Sequence, residues 1–134
     1  MPDGTYRIDS REDSKIVMSN DQGRYDVVTL ALDCYCHTAA AADINGDGYV
    51  DIFAPDSLQY SQNEDGVWVP HRGQDPYFLI NDGKGNFTVS HDGIPKIADR
   101  IWTTEILDFD YDGNLDIWVA GSKLQYILFG DGTG

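Results

Sequence analysis

The sequence is poor in positive charge: nine Lys and Arg stand against 23 Asp and Glu, a formal net charge of −14. Nucleic-acid binding depends on basic side chains neutralising phosphates, so this balance argues against it. An anionic membrane surface is disfavoured for the same reason. No apolar run approaches the roughly 18 residues of a membrane-crossing helix, so no membrane insertion is expected. The opening residues, Met1 to Arg7, lack the basic-then-apolar order of a secretory leader, which predicts a cytosolic chain or a mature piece of something longer. Catalytic signatures are missing too: there is no G-x-S-x-G, no phosphate-binding loop and no dinucleotide fingerprint. Glu64, Asp65, Asp75, Asp99 and Glu105 form no paired constellation of the kind acid–base chemistry requires, so no enzyme is expected.

Cysteine is nearly absent. Cys34 and Cys36 are the two in the chain, in a strand-like run that would point both to one face. Residues so close in sequence rarely bridge each other without strain. Two buried strand thiols are therefore expected, with a bond to another chain as the alternative. His37, His71 and His91 show no metal-binding spacing, and Cys34, Cys36 and His37 would supply only three soft-metal ligands. Trp68, Trp102 and Trp118 are expected to pack in the core or between sheets. Trp68, with Tyr60, His71 and Tyr77, is the best candidate for an exposed ligand-binding surface.

Helical periodicity is also lacking. Short apolar runs bounded by Gly, Asn and Asp predict an all-β chain. The strands are placed at Tyr6 to Asp9, Lys15 to Ser19, Tyr25 to Tyr35, Val50 to Ala54, Gly66 to Pro70, Tyr77 to Ile80, Phe87 to Ser90, Thr103 to Leu107, Leu115 to Ala120 and Gln125 to Phe129. Turns are expected at Asn20 to Gly23, Asn63 to Gly66 and Asn81 to Gly85, where residues tolerant of positive φ cluster. Ala39 to Ala42 has the composition of a helical turn but is cut short by Asp43.

What the chain does have is two copies of one acidic pattern, D-x-D/N-x-D-G-x-x-D-I, starting at Asp43 and at Asp108, 65 residues apart. Oxygen ligands at alternate positions, followed by a glycine that lets the backbone reverse, suit a hard cation such as calcium. Positions 1, 3 and 5 are Asp43, Asn45 and Asp47 in one loop and Asp108, Asp110 and Asp112 in the other. Position 7, Tyr49 or Asn114, would offer its carbonyl and leave its side chain free to vary. Position 9, Asp51 or Asp116, would close the cage from the start of a strand. Four carboxylates in the second loop against three and an amide in the first predict tighter binding at Asp108 to Asp116. Two Ca2+ would offset much of the crowded negative charge. Position 12 is Ala54 or Val119 where an EF-hand needs a bidentate Glu, and apolar β-favouring residues follow, which argues against that motif.

A second element repeats as well: Leu79 to Phe87, reading L-I-N-D-G-K-G-N-F, matches Leu128 to Gly134. Together the loop, the following strand and the hairpin resemble the FG-GAP/VCBS repeat, the family of calcium-bearing blades in integrin α-chain propellers and many bacterial surface proteins. The lead-in His37 to Asp43 is also similar. The resemblance covers about Ala31 to Phe87 and Thr103 to Gly134; Asn45, often Asp in the family, and the segment after Asp56 depart from it. It implies a β-propeller of four-stranded antiparallel blades, with structural calcium, in an extracellular or cell-surface protein.

The expected organisation is a single two-repeat module over 1–134. A first repeat spans 25–90 and carries an insertion at 57–75; a second spans 99–134 and would be completed by strand 3–10 of another copy through β-augmentation. Two blades cannot close a ring, so the chain is expected to be a fragment of a larger propeller, a subunit of an assembled ring or part of an open array. Its partners would then be other blades or copies of itself, with glycans or surface proteins beyond them. The function expected is a calcium-stabilised structural, adhesive or self-assembling module; a carbohydrate-binding or polysaccharide-enzyme-associated segment is the alternative.

Overall fold

The computed structural model describes residues 13–32, 34–56, 59–72 and 75–132, without the side chains of 59–61 and 70–72. The predicted strand Tyr6 to Asp9 and the proposed completing strand 3–10 lie outside the described residues. The architecture is all-β, and no helix occurs among the described residues. Two compact units divide at Asp33 and Cys34.

In the first unit, β1 (Ser14–Ser19) and β2 (Tyr25–Leu30) form an antiparallel hairpin. Its turn falls where Asn20 was expected to start one: the Asn20 side-chain oxygen accepts the N–H groups of Gln22 and Arg24 at 3.1 and 3.0 Å. β2 is shorter than the predicted run to Tyr35. The Leu32 N–H donates to the Leu30 carbonyl at 2.7 Å, a three-residue turn that breaks the strand. Cys34 and Cys36 consequently lie outside any strand.

The second unit holds a four-stranded antiparallel sheet ordered β3 (Ala40–Ala42), β4 (Asp51–Ala54), β7 (Tyr77–Asn81), β8 (Phe87–Ser90). A three-stranded sheet is ordered β11 (Gln125–Leu128), β10 (Asp116–Gly121), β9 (Ile101–Leu107). Between β4 and β7 a separate hairpin of β5 (Gln59–Gln62) and β6 (Trp68–Arg72) fills the predicted insertion, with the buried Pro55 and Pro76 at either side. The Ala40–Ala42 segment, helical by propensity, is strand because its ladder partners Asp51 to Phe53 are in place beside it. Tertiary pairing overrides a weak local preference.

The two sheets have one internal register. Ala41 pairs with Ile52 and Ile52 with Leu79; Ile106 pairs with Ile117 and Ile117 with Leu128. Ala54 opposite Tyr77 corresponds to Val119 opposite Tyr126, and Phe53 opposite Phe78 to Trp118 opposite Ile127. The insertion alone shifts the spacing, from 65 residues in the first two strands to 49 in the third.

The core lies between these sheets, and corresponding faces do not meet. The first sheet contributes Phe53, Phe78 and Ile80; the second contributes Ile117, Val119, Ile106, Tyr126 and Leu128. Phe53 corresponds to Trp118, on the far face of the second sheet, and Ile117 corresponds to Ile52, on the far face of the first. The sheets therefore stack front to back. Edge strands β3 and β9 approach each other. On the outward face of the first sheet, Ala54, Tyr77 and Leu79 are also buried. The outward face of the second keeps Ile127 42% and Leu107 57% exposed.

Candidate metal centre

Both acidic loops fold as one design, residue for residue. In the first, the Asp43 carboxylate accepts the N–H groups of Asp47 and Gly48 at 3.0 and 2.9 Å. In the second, Asp108 accepts those of Asp112 and Gly113 at 3.1 and 3.0 Å. Asn45 and Asp110, at position 3, each accept the same position-5 N–H as a second contact, at 3.0 and 3.2 Å. These bonds curl the chain so that the side chains of positions 1 and 3 converge. The curl needs a left-handed residue at position 4 in both copies: Gly46 (φ 71°) in one and Tyr111 (φ 63°) in the other.

The position-9 carboxylates are completely buried, and each joins three parts of its repeat. One Asp51 oxygen accepts the Ile44 N–H at 3.1 Å, and the other accepts the Asn81 N–H from the hairpin at 2.8 Å. Asp116 does the same with Phe109 at 2.7 Å and Gly130 at 2.9 Å. Asn81 and Gly130 occupy one position of the repeated hairpin sequence. Sequence reasoning placed these carboxylates as cage ligands and missed their second task, tying loop to hairpin. The signal was present, since the loop and the hairpin recur in the same order.

Position 7 differs between the copies, Tyr49 in one and Asn114 in the other. In both copies its side chain covers a hairpin glycine: a Cβ on Gly83 would enter the Tyr49 ring, and one on Gly132 would meet the Asn114 amide oxygen. Position 5 also turns toward position 7. Asp47 accepts the Tyr49 N–H at 2.9 Å and Asp112 that of Asn114 at 2.8 Å.

Among the described residues, one all-carboxylate cluster has metal-ligand geometry. Asp108, Asp110 and Asp116 each place an oxygen within 4.8 Å of the others. Two oxygens sharing a Ca2+ at about 2.3–2.6 Å can be at most about 5 Å apart, so the donor set fits a hard cation. The structure does not bring Asp112 into that set. In the first loop the amide of Asn45 stands at the position of Asp110 and donates to Asp47 at 3.1 Å. No protein-family model matches the chain, and no curated protein is significantly similar to it. The repeat is therefore visible in this chain's own two copies.

Of the four residues expected to form an exposed binding surface, Tyr77 is buried and takes no part in one. Trp68 is 64% exposed on β6, whereas Tyr77 is 4% exposed. Burial, followed by the nearby Asp56 carboxylate, raises the pKa of the Tyr77 phenol. The side chains of Tyr60 and His71 lie outside the described residues.

A second cluster involves the cysteines. Cys34 and Cys36 are joined as a disulfide and are half-buried, which corrects the expectation of two separate buried thiols in a strand. The third group beside them is Asp56, not His37. His37 instead faces the Trp102 ring at 4.8 Å and the Tyr35 ring at 5.1 Å.

Proposed function

We propose that this chain is a calcium-stabilised β-propeller-type repeat module with a structural, adhesive or self-assembling role outside the cell. The observation that carries the reading is the front-to-back stacking of two sheets with one register. Such stacking has no internal stop: each further sheet presents the face that the next one needs. The approach of edge strands β3 and β9 fits a radial arrangement in which each sheet's first strand lies innermost. The exposed outward face of the second sheet and the outer edge of β11, which pairs with β10 alone among the described residues, are the surfaces where another copy would add. No reaction is assigned to the module.

Calcium is proposed at both loops, tighter at Asp108, Asp110 and Asp116, where the carboxylates already converge. Ca2+ at 100 times its dissociation constant would add about 2.7 kcal/mol of stability. Thermal unfolding in Ca2+ and in a chelator tests this: the melting temperature falls on chelation, and Asp110→Ala removes most of the difference. A melting temperature indifferent to Ca2+ would sink the assignment. Carbohydrate binding is the second reading, supported by the exposed Trp68 on the inserted hairpin. A glycan array whose binding Trp68→Ala abolishes would favour it.

A further inference from the structure

We propose that Asn45 is a site of self-modification: the Gly46 backbone nitrogen closes onto the Asn45 side-chain amide, expels ammonia and leaves the first acidic loop with a carboxylate at position 3. What this does to metal binding rests on the calcium reading of the loops.

Asparagine is a chemically labile residue. Its cyclisation is governed by the residue that follows, whose nitrogen must be unhindered and not already engaged. Asn-Gly occurs once in the chain, at Asn45 and Gly46, and both residues are exposed. Gly46 has no Cβ to crowd the approach, and the space around it is open. The N–H groups of Asp47, Gly48 and Tyr49 are all held by side chains of the loop, whereas that of Gly46 donates to nothing among the described residues. Asn45 itself is poised by an Asx turn: its Oδ1 accepts the Asp47 N–H at 3.0 Å, two residues on. The ring so closed contains the Gly46 nitrogen, and the hydrogen bond draws electron density from the carbonyl carbon that is attacked.

The second loop is the unreactive counterpart. Its position 3 is Asp110, a carboxylate, which repels a nucleophile. Its position 4 is Tyr111, which carries a side chain at nearly the same φ, 63° against 71°.

The chemistry balances. The Gly46 nitrogen forms a bond to the Asn45 Cγ, the Cγ–Nδ2 bond breaks, and the Gly46 proton leaves with the amide nitrogen as ammonia. The cyclic imide then takes up one water. Opening at one carbonyl gives aspartate at position 45, matching Asp110 in the three-carboxylate cluster. Opening at the other gives the isoaspartyl linkage, which carries the same charge but lengthens the main chain by one carbon and moves position 3 out of its alternation. Either way the bond from the Asn45 amide to Asp47, at 3.1 Å, is lost and two carboxylates stand together. A divalent cation relieves that repulsion. Ligand charge count sets affinity, so the aspartyl loop should bind Ca2+ about 10-fold more tightly than the amide loop.

The test incubates the full chain in chelator at mildly alkaline pH and follows it by peptide mass spectrometry. The peptide holding Asn45 should gain the mass difference between OH and NH2 before those holding Asn20, Asn63, Asn81, Asn86 or Asn114. An isoaspartyl-specific methyltransferase should label part of it. Asp110→Asn, which sets the same amide before Tyr111, should stay amidated while Asn45 in the same chain converts. An Asn45 that keeps its amide, or converts no faster than the other asparagines, overturns the proposal; so does equal conversion at both loops in folded Asp110→Asn. If that variant does not fold by circular dichroism, the comparison among the parent's own asparagines decides. Ca2+ titration of Asn45→Asp in an Asp110→Ala background reads the consequence: a first loop no tighter than that of Asp110→Ala alone overturns the gain in affinity. Ca2+ binding at neither loop of the parent removes the calcium reading instead, while the mass change at Asn45 stands or falls by itself.

Discussion

At the scale of single residues, the most consequential groups are the buried position-9 carboxylates. Each Asp51 or Asp116 oxygen has its own backbone donor, so an amide in its place keeps one acceptor and turns an NH2 toward the other N–H. Hydrogen bonds to a buried charge are worth about 1.5–3 kcal/mol each, and an orphaned donor adds to the loss. Asp116→Asn and Asp51→Asn should therefore each lower stability by roughly 3 kcal/mol in chelator, measured by urea unfolding. Changes under about 0.5 kcal/mol, typical of surface positions, would show that the tie is unimportant.

The left-handed loop position supplies the converse case. Tyr111, 91% exposed at φ 63°, bears a cost that Gly46 avoids in the other loop. Tyr111→Gly should stabilise the chain by about 1 kcal/mol, whereas Gly83→Ala, strained in φ and overlapping the Tyr49 ring, should destabilise it by more than about 2 kcal/mol. Combining Gly83→Ala with Tyr49→Ala should recover the steric part, and strict additivity of the two would refute the contact.

At the scale of elements, the hairpin between β7 and β8 is held by one exposed carboxylate. Asp82 accepts the Asn86 side-chain amide at 2.7 Å and the N–H groups of Lys84 and Asn86 at 2.8 and 3.0 Å. The Asn86 amide first, then the Lys84 and Asn86 N–H groups, hold the Asp82 carboxyl below its ordinary pKa. With the folded value lowered, its contribution is fully present above the unfolded value near 4 and is lost as pH falls through the folded value. The stability advantage of the parent over Asp82→Ala should thus be larger at pH 7 than at about pH 2.5. A difference constant with pH would rule the charged turn out.

At the scale of the whole molecule, the asymmetry between the two sheets predicts association. The central strands of the first sheet, β4 and β7, are largely buried on both faces, but the second sheet leaves Ile127, Leu107 and Phe129 exposed at positions matching Phe78, Ala42 and Ile80. Phe78 and Ile80 are where the first sheet receives its neighbour. Light scattering should give a mass above the 14.9 kDa of one chain, and Ile127→Glu should return it toward the monomer with little change in melting temperature. A well-folded parent monomer at high concentration would remove self-assembly from the proposed roles.

The sequence by itself determined the elements that depend on local chemistry. The turns after Asn20, Asn63 and Asn81 need Asn, Asp and Gly in fixed order. The two loops need oxygen donors at alternate positions, and a repeat of both in one order marks two equivalent units. Short apolar runs without helical period determined an all-β chain. Tertiary structure decided what depends on neighbours distant in the chain. Ala40–Ala42 became a strand because β4 was there to pair with it, and β2 stopped at Leu30 because Leu32 turned back. The second use of Asp51 and Asp116, the cover that Tyr49 and Asn114 provide for the hairpin glycines, and the meeting of Asp56 with Cys34 and Cys36 are contacts between segments far apart in sequence. Composition and spacing specify which groups a loop can offer; only packing determines which groups reach it.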